Sequence, residues 1–358
     1  MSPRMHPLDQ QLQANIQGDF ETGWRLSEMM WKTDSQDDRV AFNRGWHVLG
    51  HGDLQGGMEL IDRGRNISVF GSKDLGSSQP KLDGKRHDIA GKTVLMRGEG
   101  GLGDEIINVR FANDFAERGA KVVVSASAQL APLFARMPGV SGVVQHGVEL
   151  GVFHDYWVPG MSAVRETGHT YQTLPGKPYL GPTKEHSTLW RSIMKTPSGD
   201  LKVGIRWSGN PQFEHQQHRR FSPDDLIGLR TIPGVKVFSF QRDTDLRPLP
   251  REVVDLQLFL GTWEDTAAAL NECDLVITSC TSVAHLAAAL GKETWIILPI
   301  LPYYTWAVPG ERSPWYESVR LFRQTTYGDW SEPLRRVREA LLHRVSEVEQ
   351  RRYVYPSA

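Results

Sequence analysis

The sequence has little cysteine, no excess of charge of one sign and no long hydrophobic run. Its 358 residues include two cysteines, Cys273 and Cys280, which are too far apart to form a Cys-x-x-Cys pair. This scarcity excludes a disulfide framework and a cysteine-rich zinc site, and it favours a reducing compartment. No apolar signal core opens the sequence, and no apolar run approaches the roughly 18 residues that a membrane span needs. We therefore expect a soluble, cytoplasmic protein without a membrane span.

Charge is nearly balanced, with 41 lysines and arginines against 42 aspartates and glutamates and a net charge of −1. Basic residues are scattered rather than arranged in a stripe, which argues against a dedicated nucleic-acid clamp or a polybasic membrane surface. What is abundant is 34 glycines, 21 prolines and 11 tryptophans, a composition typical of many turns and aromatic pockets. The length predicts two or three domains.

An internal repeat lies near the amino terminus, where QGDFETGWRL (17–26) recurs as HGDLQGGMEL (51–60). The offset matches the 34-residue period of the tetratricopeptide repeat, a helix–turn–helix unit. The alternative is a chance pair of Gly-Asp turns. We predict tetratricopeptide-like helices over residues 1–70. Because a solenoid normally needs at least three repeats to bury its core, two repeats must pack on the rest of the chain.

Short apolar runs alternate with helical stretches through the remainder of the sequence, which predicts β–α–β units with parallel sheets. We expect a linker over 71–90, a first α/β domain over 91–182, a second over 183–330, and an amphipathic helix over 331–358 that packs back on the first domain. The predicted strands are TVLM (93–96), KVVVS (121–125), KVGIRW (202–207), VKVFSF (235–240), DLVIT (274–278), TWIIL (294–298) and VRLF (319–322).

A glycine-rich run, MRGEGGLGDEI (96–106), follows the first predicted strand and begins a helix. Ligands of open parallel sheets bind at this edge. Asp104 falls in the first turn of the helix, where the helix dipole stabilises a carboxylate that can serve as a base. The alternative is an ordinary N-cap. The run contains neither the dinucleotide fingerprint nor the phosphate-binding loop motif.

A second strand-to-helix turn, DLVITSCTSVAHLAAALG (274–291), places Thr281 and Ser282 at a helix start. Unpaired backbone amides there, together with two hydroxyls, can hold a diphosphate. Hydroxyl capping without a ligand is an equally good interpretation of this segment alone. His285 lies on an alanine-rich helix and is better explained by packing.

The loop FEHQQHRR contains three residue types that bind metals, Glu214, His215 and His218, but no fourth ligand is evident in the sequence. A loop that presents arginines is the better interpretation. Arg219 and Arg220 can each form forked hydrogen bonds with phosphate oxygens.

The triplet DTD (243–245) resembles the Asp-x-Asp metal-binding motif found in some sugar transferases. It lies in a charged, turn-rich stretch and is better explained as a solvated loop. We therefore expect no metal and no cofactor.

Together these motifs resemble bacterial and phage glycosyltransferase-like proteins with tetratricopeptide repeats, related to the heptosyltransferases and distantly to the O-linked N-acetylglucosamine transferase. That resemblance implies a GT-B architecture, in which two Rossmann-like domains face a cleft. Besides the repeats, the segments that carry it are GEGGLGDEI (98–106), VGIRWSGNP (203–211), FSFQ (238–241), WEDTAAALNECDLVIT (263–278), TSVAHLAAALGK (281–292), SPWYESVRLFRQ (313–324) and GDW (328–330).

The resemblance also implies a reaction: metal-independent, inverting transfer of a hexosyl or heptosyl group from a nucleotide-sugar. By that resemblance Asp104 is the general base for the acceptor hydroxyl, and the loop around it lies on the acceptor side. The residues implied in donor and phosphate binding are Thr281, Ser282, Val283, Arg219, Arg220, Trp207, Ser208, Gly209, Asn210 and Gln241. Those implied on the acceptor side are Gly101, Gly103 and Glu105.

One position departs from the family pattern, because Cys280 stands where relatives read the aspartate of an Asp-Thr-Ser start. The thiol cannot replace that charge, so a catalytically impaired binding or scaffold protein is the second hypothesis. An epimerase or phosphorylase of the same architecture is a third. Candidate acceptors are a glycan, a protein or a modified nucleobase, and the repeats offer a surface for a protein partner.

Overall fold

The computed structural model describes residues 5–196, 199–212, 216–242 and 246–354. The chain forms two compact units. Unit 1 comprises Met1–Leu180 and Leu301–Glu317, and unit 2 comprises Gly181–Ile300 and Ser318–Ala358. In the described part of the chain, no helix combines the length and the apolar character that crossing a membrane requires.

Unit 1 begins with four helices, and the recurring sequence forms the same structure both times. Asp19 and Asp53 cap the second and fourth helices by accepting hydrogen bonds from the amides of Thr22 and Gly56. The repeat is therefore a pair of helix–turn–helix units, as expected, and its assignment to the tetratricopeptide class stays a prediction. The helices are α1 (Pro7–Ile16), α2 (Phe20–Thr33), α3 (Asp38–Gly50) and α4 (Leu54–Asp62).

A four-stranded parallel sheet forms the rest of unit 1, with the strand order β3-β2-β1-β4. Its central strand is apolar because both faces are covered, and Leu95 of β1 pairs with Val123 on one side and Trp157 on the other. The strands are β1 (Thr93–Arg97), β2 (Lys121–Ala126), β3 (Gly142–Gln145) and β4 (Tyr156–Pro159). The helices are α5 (Leu102–Val109), α6 (Phe111–Glu117), α7 (Ala131–Phe134) and α8 (Ala163–Thr167).

Unit 2 contains a six-stranded parallel sheet with the order β10-β9-β8-β5-β6-β7. This is the doubly wound order, in which the first and fourth strands, here β5 and β8, lie side by side where the winding reverses. The strands are β5 (Leu201–Arg206), β6 (Val235–Ser239), β7 (Val254–Asp255), β8 (Leu275–Ser279), β9 (Thr294–Leu298) and β10 (Val319–Arg323). The helices are α9 (Lys184–Ile193), α10 (Pro223–Ile227), α11 (Trp263–Asn271), α12 (Ser282–Ala289) and α13 (Ser331–Val354).

Three parts of the predicted domain layout differ in the structure. The expected linker packs on unit 1, where Leu82 and Ile89 are buried and the Leu82 amide donates to the Trp157 carbonyl. The closing helix α13 places the side chains of its apolar face in the core of unit 2, beside Trp295 and Phe322. Residues 301–317, expected within the second domain, belong to unit 1.

Candidate functional site

The carboxyl edge of the unit 1 sheet collects three acidic side chains. The strand order reverses between β1 and β4, so the loops that follow these two strands diverge and leave a crevice. A small pocket lies at this edge, and Gly98, Glu99, Asp104, Asn108 and Gly160 are among the residues that line it. The glycine-rich run therefore lies where parallel sheets bind ligands, as the sequence predicted.

Asp104 lies in the first turn of α5 and keeps part of its surface in contact with solvent. Even so, burial is the main cause that raises the pKa of its carboxyl from 3.8 to about 6, and the nearby charges of Glu105 and Glu99 add to it. Two hydrogen bonds to the carboxylate oppose this shift, one from the Gly101 amide at 2.9 Å and one from the Tyr303 hydroxyl. A carboxylate with this pKa is ionised at neutral pH and is a better proton acceptor than an ordinary aspartate.

Gly100 permits the close approach of the loop to this carboxyl. Its φ of +71° is in the left-handed region, and a Cβ placed on it would lie 2.5 Å from Oδ2 of Asp104. Any side chain at this position would therefore meet the carboxylate as well as strain the backbone.

Glu99, the second carboxylate, is almost fully paired. The Arg65 guanidinium, which follows α4, donates to both of its oxygens at 2.5 and 2.9 Å. The amides of Ser72 and Met161 donate to the same carboxylate, at 2.8 and 3.2 Å. Since every strong acceptor position is occupied, Glu99 is a structural group that fixes the loop rather than a proton acceptor.

Glu105, predicted on the acceptor side, is buried and turned toward neighbouring loops. Its Oε2 accepts from the Ser127 amide at 2.8 Å, and its Oε1 lies 3.1 Å from Nε2 of His146. Of the two glycines predicted beside it, Gly101 is exposed and Gly103 is half-buried. Asp104 is therefore half-buried, whereas the neighbouring Glu99 and Glu105 are buried.

The carboxyl edge of the unit 2 sheet brings together several predicted donor-binding residues. Gly209 follows β5, and a Cβ placed on it would lie 3.1 Å from Nη2 of Arg219 and 3.1 Å from Cγ2 of Thr281. The other terminal nitrogen of Arg219 donates to the Cys280 carbonyl at 2.5 Å. A guanidinium thus lies at the start of α12, between the loops that follow β5 and β8.

Thr281 occupies the N-cap position of helix α12, but its side chain forms no capping hydrogen bond with the first turn. Its hydroxyl lies 3.4 Å from the Thr278 hydroxyl instead. Ser282 is half-buried, and Val283 is buried. His285 is buried in the same helix, which agrees with packing rather than an exposed ligand role.

The side chain of Gln241 fixes the loop after β5 through hydrogen bonds. The Gln241 side-chain oxygen accepts from the amides of Trp207 and Ser208 at 3.2 and 3.1 Å, and its nitrogen donates to Oγ of Ser208 at 2.9 Å. The Trp207 side chain is buried in the core of unit 2, so it shapes the loop rather than lining a surface. Asn210 and Arg220 are exposed.

Part of the sequence-predicted set lies outside the described residues. These residues are Glu214 and His215 of the histidine-rich loop and the triplet 243–245. Conversely, sequence reasoning missed Arg65 and Tyr303, which contact Glu99 and Asp104. The signal that could have pointed to Tyr303 is the aromatic cluster of LPYYTW (301–306).

Comparisons with known proteins found one sequence relative and several structures of similar fold. No family model matches the sequence. Protein FlbA from Caulobacter vibrioides is 27% identical over 286 residues, covering 71% of this chain and 47% of FlbA. This chain therefore spans about half the length of that curated relative.

The solved structures that share the fold include two glycosyltransferases. The glycosyl transferase family 9 protein from Veillonella parvula has a TM-score of 0.51 at 11% identity, covering 66% of this chain and 87% of its own. E. coli ADP-heptose lps heptosyltransferase II has a TM-score of 0.52 at 15% identity, covering 72% and 99%. The two parallel-sheet units therefore have the GT-B-like glycosyltransferase fold.

Proposed function

We propose that this protein is an inverting glycosyltransferase that uses a nucleotide-sugar donor and needs no metal. The observation that carries the proposal is Asp104, a half-buried residue whose carboxyl pKa of about 6 suits a general base, at the ligand-binding edge of a sheet in this fold. In the proposed reaction the acceptor oxygen bonds to the anomeric carbon and gives its proton to Asp104. The bond from that carbon to the diphosphate breaks, and its electron pair leaves with the nucleoside diphosphate.

The donor diphosphate is assigned to the start of α12. Backbone amides of the first helical turn, the hydroxyls of Thr281 and Ser282, and the Arg219 guanidinium are all donors suited to phosphate oxygens. These groups would stabilise the negative charge that develops on the leaving diphosphate, which is the task a metal performs in other transferases. Arg220 and Asn210 are proposed as outer contacts of the same donor.

Cys280 supports the second candidate, a binding protein that has lost catalysis. Its backbone carbonyl accepts a hydrogen bond from Arg219, but its buried thiol supplies none of the negative charge that the family resemblance implies at this position. Donor binding without any turnover would favour this candidate. Under both hypotheses the candidate second ligand is the same: a glycan, a protein or a modified nucleobase.

The experiment that tests donor binding is calorimetric titration with a panel of nucleoside diphosphates and their sugars. We expect one base to bind selectively, and we expect a Thr281→Ala/Ser282→Ala double variant to weaken that binding. Asp104→Asn serves as the matched control, because it changes unit 1 alone and leaves donor affinity intact. Equal binding by wild type and the double variant would remove the start of α12 from the donor site.

Turnover is then measured as release of nucleoside diphosphate from the selected donor. Loss of a general base costs roughly 10²–10⁴-fold in rate, so Asp104→Asn should lose most turnover while it retains fold and donor affinity. Unchanged turnover in this variant would remove Asp104 from the mechanism.

A further inference from the structure

The segment 301–317 passes from β9 back into unit 1 and carries two adjacent tyrosines. Tyr304 is fully buried, and its hydroxyl lies 3.1 Å from Nδ2 of Asn108, a residue on α5. The same Asn108 amide donates to the backbone carbonyl of Asp104 at 2.9 Å. Tyr304 therefore anchors the segment directly against the helix that carries the proposed base.

Tyr303, unlike its neighbour, is half-buried and directs its hydroxyl to the Asp104 carboxylate. The ring lies 4.7 Å from that of Tyr304 and 6.2 Å from that of Trp46, which belongs to α3. One side of Tyr303 is thus held by the anchored segment and another by the amino-terminal helices. A phenol held in this way donates its hydrogen bond from a fixed position.

We propose that Tyr303, held in place by Trp46, is a positioning residue for Asp104, and that the amino-terminal helices thereby support the catalytic edge of unit 1. That this contact matters for catalysis rests on the proposed function. The contact between Tyr303 and Asp104 does not depend on it. It gives the helical segment a task within the site, in addition to any partner it binds. Arg65, which follows α4 and pairs with Glu99, is a second route from the helices to the same loop.

The groups that face Asp104 define what a change at Tyr303 would do. Glu105 on the same helix and Glu99 on the loop after β1 are acidic, and Arg65 pairs with Glu99. From the segment 301–317, Tyr303 donates to the carboxylate, and the neutral Tyr304 lies nearby. A donated hydrogen bond favours the ionised carboxylate, so its removal leaves burial and the acidic neighbours unopposed.

The test is a titration of the Asp104 carboxyl, followed by NMR in protein labelled with 13C at aspartate side chains. The Asp104→Asn variant identifies the resonance. We expect Tyr303→Phe to raise the titration midpoint by about one pH unit, the size set by losing one hydrogen bond to a charged group. Trp46→Leu, which leaves the hydroxyl present but less firmly held, should raise the midpoint by a smaller amount.

Tyr304→Phe is the matched control, because it removes a neighbouring hydroxyl that contacts Asn108 rather than the carboxylate. Its midpoint should stay at the wild-type value. A midpoint that is unchanged in Tyr303→Phe, or that moves equally in Tyr304→Phe, overturns the proposal. Should Tyr303→Phe fail to fold, the smaller shift in Trp46→Leu decides.

Activity gives a second readout. The acid limb of the turnover profile in Tyr303→Phe should move by the same amount as the titration, with the donor KM unchanged. A shifted titration in a protein without turnover would uphold the Tyr303 contact and defeat the proposed transferase function. The titration therefore tests the Tyr303 contact, and the turnover rate tests the proposed transferase function independently.

Discussion

The two sheets reverse their strand order in the same way but collect opposite charges where they do so. The edge of unit 1 holds the carboxylates Glu99, Asp104 and Glu105. The edge of unit 2 holds Arg219 beside the hydroxyls at the start of α12. Backbone topology thus sets where loop side chains collect in this fold, and a few loop residues decide the charge that each edge carries.

The two edges also hold their charged groups differently. At the first, burial and acidic neighbours make Asp104 retain its proton more tightly. At the second, the Arg219 guanidinium donates a hydrogen bond to the backbone carbonyl of Cys280 at 2.5 Å. An acidic edge that takes up protons and a basic edge that attracts anions are the division of labour that the proposed reaction requires.

The largest effect expected on donor binding concerns the basic edge. Arg219→Met should weaken binding of the selected nucleoside diphosphate by about 10–100-fold, since a charge-assisted hydrogen bond contributes roughly 1.5–3 kcal/mol. Arg219→Lys keeps the positive charge but cannot form two parallel hydrogen bonds with a phosphate. Its affinity for the nucleoside diphosphate should therefore lie between that of Arg219→Met and that of wild type. The measurement is calorimetric titration. The control is Arg338→Met, on the exposed face of α13, which removes the same charge and should bind the nucleoside diphosphate as tightly as wild type. An equal loss of affinity in both variants would mean that net charge, and not the position of Arg219, determines binding.

The next effect concerns the acidic edge and its dependence on pH. A carboxyl whose pKa is 3.8 unfolded and about 6 folded favours the folded state most below pH 3.8, and this contribution is lost as pH rises through 6. Asp104→Asn should therefore be more stable than wild type at pH 8, by about 3 kcal/mol, with the difference shrinking toward zero near pH 4. Urea unfolding at several pH values measures it. A difference that is constant with pH would contradict the raised pKa.

The smallest effect separates backbone strain from contact with the carboxylate. Gly100 and Gly91 have nearly the same φ, +71° and +72°, but only a Cβ on Gly100 meets another group, Oδ2 of Asp104. Both alanine variants should lose roughly 1–2 kcal/mol to left-handed strain, and Gly100→Ala should lose about 1 kcal/mol more. Urea unfolding compares them, and Gly100→Ala alone should lower turnover. Indistinguishable variants would mean that the loop moves away from the base without cost.

Most of the sheet framework could be predicted from sequence, because buried parallel strands are apolar throughout. β1, β2, β5, β6, β8, β9 and β10 were found within one residue at each end. β3, β4 and β7 were missed because they are short, and β4 ends in Pro159 with no alternating pattern. The division into units was predicted less well, since no periodicity marks the segment 301–317 as part of unit 1.

The site divides in the same way. The glycine turns and the α12 start are local patterns, so their positions could be inferred from neighbouring residues. The contact of Asn108 with Tyr304 joins positions 196 residues apart, and no local signal encodes it. For Trp207 a local motif gave the position but not the direction of the side chain. The motif does not determine whether the ring faces a ligand or the core, and in the structure the ring lies in the core.

The return of residues 301–317 to unit 1 has a consequence for how this protein is made. Trp306, Trp315 and Tyr304 are fully buried there, and Arg110 donates to the carbonyl of Trp315 at 2.5 Å. During synthesis from the amino terminus, the first sheet leaves the ribosome long before these aromatic residues exist. The core of unit 1 can therefore be completed only after residues 181–300, the larger part of unit 2, have been translated.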